Sequence, residues 1–121
     1  MTRELAEYLQ DIFGYSSFRL GQEEIIKHIL SRKHLLAVMP TGAGKSLCYQ
    51  LPAVLFDGRT IVVSPLIALM NDQVSYLKSI KISAESIHSH QSYEENATTW
   101  LAFARGDIKI LYISPERLMT E

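Results

Sequence analysis

A single cysteine, Cys48, stands among the 121 residues, so no intrachain disulfide can form and burial must hold the fold, a composition that suits a reducing compartment. No uncharged apolar run approaches the roughly 18 residues of a membrane span. The acidic N-terminal stretch lacks the basic and then apolar layout of a signal peptide. Positive charge is not in excess either. Twelve Lys and Arg against thirteen Asp and Glu leave a formal charge of -1, which excludes nucleic-acid binding by overall basicity and confines any such contact to a local surface. Internal repeats, low-complexity stretches and linkers are missing as well. What is there, 47% hydrophobic and 21% charged residues, is enough for one globular domain with a buried core rather than a disordered chain. A cytoplasmic protein with no membrane partner is the expectation.

Hydrophobic periodicity divides the chain into alternating elements. Glu4 to Phe13 places Leu5, Tyr8, Leu9 and Ile12 at helical spacing and closes at Gly14. Gly21 to Leu30 sets Ile25, Ile26, Ile29 and Leu30 opposite Glu23, Glu24 and Lys27, a second helix with one buried face. Leu35 to Met39 is short and apolar and reads as a buried strand. Lys45 to Phe56 reads as a core helix that Pro52 should bend or end, because proline removes a backbone donor and crowds the preceding turn. Thr60 to Ser64 is β-branched and apolar, a strand, and Leu66 to Ile80 follows with Leu69, Met70, Leu77 and Ile80 at helical spacing. Glu85 to Ser89 is a candidate short strand. Ser92 and Glu95 have the spacing of a capping box that opens a helix to about Arg105, expected to bury Ala97, Trp100, Leu101 and Ala104 before Gly106 stops it. Ile108 to Ile113 is the last strand. Strands alternating with helices imply parallel pairing through right-handed crossovers, so the fold class is α/β, a layered parallel sheet.

Between the strand expected at 35–39 and the helix from Lys45 lies the turn Pro40-Thr41-Gly42-Ala43-Gly44-Lys45-Ser46. Gly42 and Gly44 permit backbone conformations that turn successive N–H groups inward around an anion, and the following helix adds its positive N-terminal end. Phosphate is the natural occupant. Lys45 would reach the outer phosphates as a point charge, and the Ser46 hydroxyl would sit on the Mg²⁺ that bridges them. The general phosphate-loop pattern asks for glycine at position 39, where this chain has Met39. Superfamily 2 helicases read P-T-G-x-G-K-[ST] instead, which Pro40 to Ser46 fits at every fixed position.

Upstream, Phe13-Gly-Tyr-Ser-Ser-Phe-Arg-Leu-Gly-Gln22, joined to MPTGAGKSLCYQLPA at Met39 to Ala53, resembles the RecQ family of ATP-dependent DNA helicases. Val62-Val-Ser-Pro-Leu-Ile-Ala-Leu-Met-Asn-Asp-Gln-Val74 is similar to that family's motif Ia, and Leu111-Tyr-Ile-Ser-Pro-Glu-Arg-Leu118 to its Y-x-S-P-E-R-L segment. The likeness runs in family order from about residue 11 to residue 118. It implies a three-layer, parallel-sheet, RecA-like P-loop NTPase domain, with ATP and Mg²⁺ as cofactors and single-stranded or duplex DNA as partner of the complete protein. Work in DNA repair and recombination, and nucleoid association in a bacterial source, are further implications. Tyr15, Arg19 and Gln22 are assigned to adenine by the resemblance: the ring covers the base, and Gln offers the donor and acceptor that adenine's edge requires. Pro40, Thr41, Gly42, Ala43, Gly44, Lys45 and Ser46 are assigned to the phosphates, with Lys45 catalytic and Ser46 on the metal. Ser64, Asn71, Gln73 and Arg117 are assigned to DNA, aided by the helix starts after Pro65 and Pro115.

The resemblance also implies parts that the sequence does not contain, an acidic D-E-x-H motif and an arginine from a second motor lobe. The expectation is therefore the front part of a helicase motor domain, cut short, that holds ATP weakly and does not unwind DNA alone. Its incomplete sheet should expose an apolar edge and favour self-association. Two other functions stay open: an RNA helicase of the same superfamily, and a non-catalytic nucleotide-binding or interaction module. Other residues read more plainly. His88 and His90 have a spacing that can hold a metal, but no Cys or carboxylate pattern completes such a site, and a polar strand end is the reading taken. Cys48 reads as a small buried side chain, and Trp100 as the anchor of its helix.

Overall fold

The computed structural model describes residues 4–19, 21–36 and 45–120. The chain divides into two compact units, Met1–Phe56 and Asp57–Glu121.

The first unit is helical. α1 (Leu5–Tyr8) runs into a π-helical turn, Leu9–Phe13, which ends at Gly14 with φ of 80°, a conformation that favours glycine. The helix expected over 4–13 is thus present, but its second half is wound one residue wider: Gly14 N–H donates to Leu9 O as well as to Gln10 O, each at 3.0 Å. α2 (Gln22–Leu30) carries an exposed Glu23–Lys27 pair at 3.5 Å and buries Ile26. Beyond it, the Arg32 guanidinium lies 4.9 Å from the centre of the Phe56 ring. The strand expected at 35–39 is not seen at its first two residues. Leu35 and Leu36 have no strand pairing and Leu36 is 90% exposed, while 37–39 lie outside the described residues.

α3 (Lys45–Leu55) packs on α2 and buries Leu47, Cys48, Leu51 and Ala53. Pro52 does not end it. The helix continues for three residues, and the Pro52 carbonyl accepts from Phe56 N–H at 2.9 Å. Only the donor that Pro52 lacks is lost from the ladder, and the buried ring compensates with apolar contact.

The second unit is a three-stranded, fully parallel sheet in the order β1 (Thr60–Val63), β3 (Ile110–Ile113), β2 (Ala84–Ile87), with α4 (Ile67–Ser79) and α5 (Tyr93–Arg105) as the connecting helices and α6 (Pro115–Thr120) after β3. Parallel pairing is what alternating elements dictate. The central strand, Ile-Leu-Tyr-Ile, is buried at every residue, as a strand covered on both faces must be. α4 buries Met70, Val74 and Leu77 and packs on β2. α5 also packs on β2, setting Phe103 among Ile87, Ile108, Leu111 and Ile113, and burial of a ring of that size contributes about 2 kcal/mol.

The capping box forms as expected. Glu95 N–H donates to Ser92 Oγ at 3.0 Å and Ser92 N–H to Glu95 Oε1 at 2.9 Å. α5 stops at Gly106, φ 90°. Its buried face differs from the expected one: Asn96 and Phe103 are buried, whereas Trp100 is 46% and Leu101 60% exposed and Ala104 is exposed. Trp100 is therefore not the anchor. It leans on Phe103, ring centres 5.9 Å apart, and Phe103 makes the core contact. The helix is fixed in this rotation by Asn96, whose Nδ2 donates to His88 O at 3.0 Å.

Candidate functional site

Residues 14–22 turn the chain from the π-helical segment into α2. Arg19 N–H donates to Gln22 Oε1 at 2.7 Å, and Gln22 N–H donates back to Arg19 O at 3.1 Å. This reciprocal pair holds two of the three candidate adenine residues in one fixed turn. Gln22 is 3% exposed, so its carboxamide is oriented by that bond rather than by water. Tyr15 is half exposed, with ring surface available to a flat ligand, and Arg19 is exposed.

Of the candidate phosphate residues, Pro40, Thr41, Gly42, Ala43 and Gly44 lie outside the described residues. Lys45 and Ser46 form the first turn of α3, Lys45 exposed and Ser46 half-buried. Both residues are thus held in helical backbone at the amino-terminal side of the described part of α3. Two residues on, Cys48 is buried, and burial pushes its thiol pKa up. That is the behaviour of a packing residue rather than of a reactive thiolate.

The candidate strand-contact residues fall on the second unit. Ser64, Ser114 and His88 each stand one residue beyond the last register positions Val63, Ile113 and Ile87, which makes a row along the carboxyl edge of the sheet. The ladder reaches into this row: Ser64 N–H donates to Ile113 O and Ser114 N–H to Ile87 O, both at 3.1 Å. Ser64 Oγ accepts from Leu66 N–H at 3.2 Å, which shapes the approach to α4. Arg117 is half-buried on α6, its N–H donating to Ser114 O at 3.1 Å. Ser64 and the Ser114–Arg117 turn thus occur on adjacent strand ends. Asn71 is exposed and Gln73 half-buried on α4, and a spacing of two places them on different flanks of that helix.

His88 was not among the strand-contact candidates. It is 3% exposed, and burial first, then the neighbouring His90, holds its pKa below the usual imidazole value against the opposing pull of Glu95. His88 and His90 do not share a strand; they belong to the turn after β2, their rings meeting edge to face at 5.9 Å. No group of three or more His, Cys, Asp or Glu placed to hold a metal ion occurs among the described residues. No helix among them is long and apolar enough to cross a membrane. A shallow cleft of about 440 Å³ is lined by Glu85, Gln91, Ser92, Glu94, Glu95, Thr98 and Thr99. Three carboxylates repel phosphate, so it is no nucleotide site.

A family model described as DEAD/DEAH box helicase matches residues 19–121. The chain is 50% identical over 112 residues to an ATP-dependent DNA helicase RecQ of Haemophilus influenzae, 93% of this chain and 18% of that protein. It is 45% identical to the protein of the same name from Synechocystis, covering 98% of this chain and 25% of that one. To an ATP-dependent DNA helicase Q-like 5 of Arabidopsis thaliana it is 49% identical, over 95% of this chain and 12% of that one. The chain spans a quarter or less of the length of these relatives. Among solved structures, a hypothetical ATP-dependent RNA helicase from Sulfolobus tokodaii superposes with a TM-score of 0.76 at 20% identity, over 98% of this chain and 35% of that one. The DUF1998 helicase MrfA bound to DNA superposes at 0.74 and 22% identity, over 98% and 18%. At such identities the structures speak to the fold, which is that of a RecA-like helicase domain.

Proposed function

We propose, from the premise that this chain belongs to the DEAD/DEAH box helicase family, that it is the ATP-binding front of an ATP-dependent DNA helicase, whose complete protein couples ATP hydrolysis to DNA unwinding. The observation that carries this reading is the Arg19–Gln22 turn, a buried carboxamide held by a backbone amide, in the same unit as an exposed Tyr15 ring and the helix that contains Lys45 and Ser46. Tyr15 covers one face of adenine, and Gln22 with Arg19 holds its edge. The Lys45 ammonium would neutralise phosphate charge, and residues 40–44, which lie outside the described residues, would be the further phosphate-binding segment. Ser46 would hold Mg²⁺, which would supply positive charge to offset that of the phosphates. Ser64, Asn71, Gln73 and Arg117 would hold DNA by its backbone, contacts that carry no base code.

DNA rather than RNA is favoured by the joint presence of FRLGQ, KSLCYQLPA and SPLIALMNDQV, and by relatives named as DNA helicases at far higher identity than the RNA helicase neighbour. The test is calorimetric titration of the chain with ATP and with tripolyphosphate, beside Lys45→Ala. Loss of one charge-assisted contact should weaken both ligands by roughly tenfold or more. Equal affinity of the variant and the parent chain for ATP would remove the basis of the proposal.

A further inference from the structure

The carboxyl ends of β2 and β3 gather buried polar atoms that the proposed function leaves unused. Among the described residues, four buried side-chain atoms have no hydrogen-bond partner: His88 Nε2, Gln91 Oε1, Asn96 Oδ1 and Ser114 Oγ. All four belong to one junction. His88 and Ser114 are neighbours across the sheet, each one residue past the Ile87–Ile113 pair. Gln91 closes the turn after β2, its N–H donating to His88 O at 3.3 Å, and Asn96 Nδ2 reaches the same carbonyl at 3.0 Å. Native chains leave few such atoms, because each forfeits its hydration without replacement. Here they are collected rather than scattered.

Neighbours fix the hydrogen-bonding sense of this set. His90 N–H donates to His88 Nδ1 at 3.2 Å, so Nδ1 is an acceptor and the neutral ring carries its proton on Nε2. Asn96 commits its nitrogen to His88 O, which leaves Oδ1 to accept. The junction therefore offers one ring N–H, one hydroxyl and two carbonyl acceptors. A ring N–H opposes a metal ion, and the mixture of donors and acceptors matches a small neutral molecule that both gives and takes hydrogen bonds, with water the smallest.

We propose that this junction is a hydrated polar hub, in which internal water joins His88 Nε2–H to Ser114 Oγ and to the carboxamides of Gln91 and Asn96. His88 is then a positioning residue for the turn that carries Ser114 and Arg117. The hub stands on the geometry of the second unit; only its effect on strand binding rests on the proposed function.

A double-mutant cycle on the full chain tests it. His88→Phe leaves the Ser114 hydroxyl buried without its bridge, Ser114→Ala does the same to the ring N–H, and the double variant removes both ends. No hydrogen bond joins the two side chains, so a bridging water is the polar link that would couple them. The folding equilibrium constant of the double variant should exceed the product of the single effects by on the order of tenfold. Simple multiplication of those effects would overturn the hub. If His88→Phe fails to fold, nitrogen NMR of the parent chain still decides. An Nε2–H tautomer with a slowly exchanging proton and a cross-peak to bound water is expected; an Nδ1–H tautomer, or exchange at the free rate, refutes it.

The positioning role is read from affinity for an unstructured DNA strand as pH is lowered. The ionisable groups acting on His88 are His90 in its own turn and Glu95 on α5. Affinity of the parent chain should fall as the ring gains a second proton, since Nδ1–H then confronts His90 N–H. His88→Gln, whose amide nitrogen substitutes for Nε2–H, should bind like the parent near neutrality and lose the pH dependence. An unchanged pH profile in that variant would overturn the role. Should the chain bind no strand at all, the proposed strand contact fails, while the cycle and the NMR still judge the hub.

Discussion

Replacing Gln22 with alanine separates the turn that the side chain shapes from the base that we propose it reads. Its oxygen takes the Arg19 N–H at 2.7 Å, and the side chain is almost fully buried. Removing that acceptor costs about 1 kcal/mol, because Arg19 itself is exposed and its N–H regains water. With a urea dependence of about 2 kcal/mol per molar, the denaturation midpoint should drop by roughly 0.5 M. The second loss is specific to the base. Gln22 would contribute a donor and an acceptor to adenine, and a loss of about 1.4 kcal/mol corresponds to roughly tenfold weaker ATP. Tripolyphosphate has no base, so its affinity should be unchanged, and the preference for ATP over GTP should shrink. Titration calorimetry with all three ligands, on chain shown to be folded, provides the comparison. If ATP and tripolyphosphate weaken by one common factor, Gln22 only shapes the loop and the adenine assignment is wrong; if neither weakens, both assignments are wrong.

Three other outcomes follow from the geometry. Arg59 Nη1 donates to the Phe103 and Ala104 carbonyls at the end of α5, and its guanidinium lies 5.1 Å from the centre of the Phe103 ring, so Arg59→Met should cost about 1 kcal/mol in urea denaturation; no change would mean that water caps the helix equally well. Stability should peak in a window bounded by two groups: His88 titrates below its ordinary 6.5, so stability is intact above that value and declines as pH falls towards the lower folded value, whereas Cys48 titrates above its ordinary 9.0, so stability declines as pH rises past it. Thermal melts from pH 5 to 10 check both limbs, and a flat acid limb in the parent chain would contradict the His88 assignment. β1 is an edge strand among the described residues, with Ile61 and Val63 more than 40% exposed, so the chain should self-associate and Val63→Lys should reduce this in sedimentation velocity; a parent chain that stays monomeric at high concentration would dispose of that idea.

Local chemistry was readable from the residues wherever the signal and the structure share a short stretch. The Ser92–Glu95 box and the stop at Gly106 depend on residues close in sequence and occur as the spacing implies, while the strand expected over 108–113 forms over its last four residues, Ile110–Ile113. Errors arise where a neighbour distant in sequence decides. Pro52 reads as a bend or an end of the helix on its own, but the helix continues past it because burial outweighs one missing donor. On α5 the large apolar residues suggested one face. The structure uses the next, because Asn96 is tied to a carbonyl on the turn after β2 while Phe103 fills the space over β3.

The carboxyl edge shows the same division at the level of function. Ser64 and Arg117 could be picked out because each lies in a recognisable segment, whereas Ser114, in the same segment as Arg117, was not singled out. His88 has no such signal, and its polar neighbours looked like an ordinary strand end. Parallel pairing nonetheless delivers the residue after every strand to one edge, whatever motif it belongs to, so His88 joins the row through register alone. Once there, its properties follow from position. The turn amide of His90 fixes its tautomer, burial favours its neutral form, and the adjacent strand brings Ser114 to the neighbouring register position. A parallel sheet thus brings to its carboxyl edge residues that no linear pattern marks, and the row formed by Ser64, Ser114 and His88 can be identified only after the strands have been put in order.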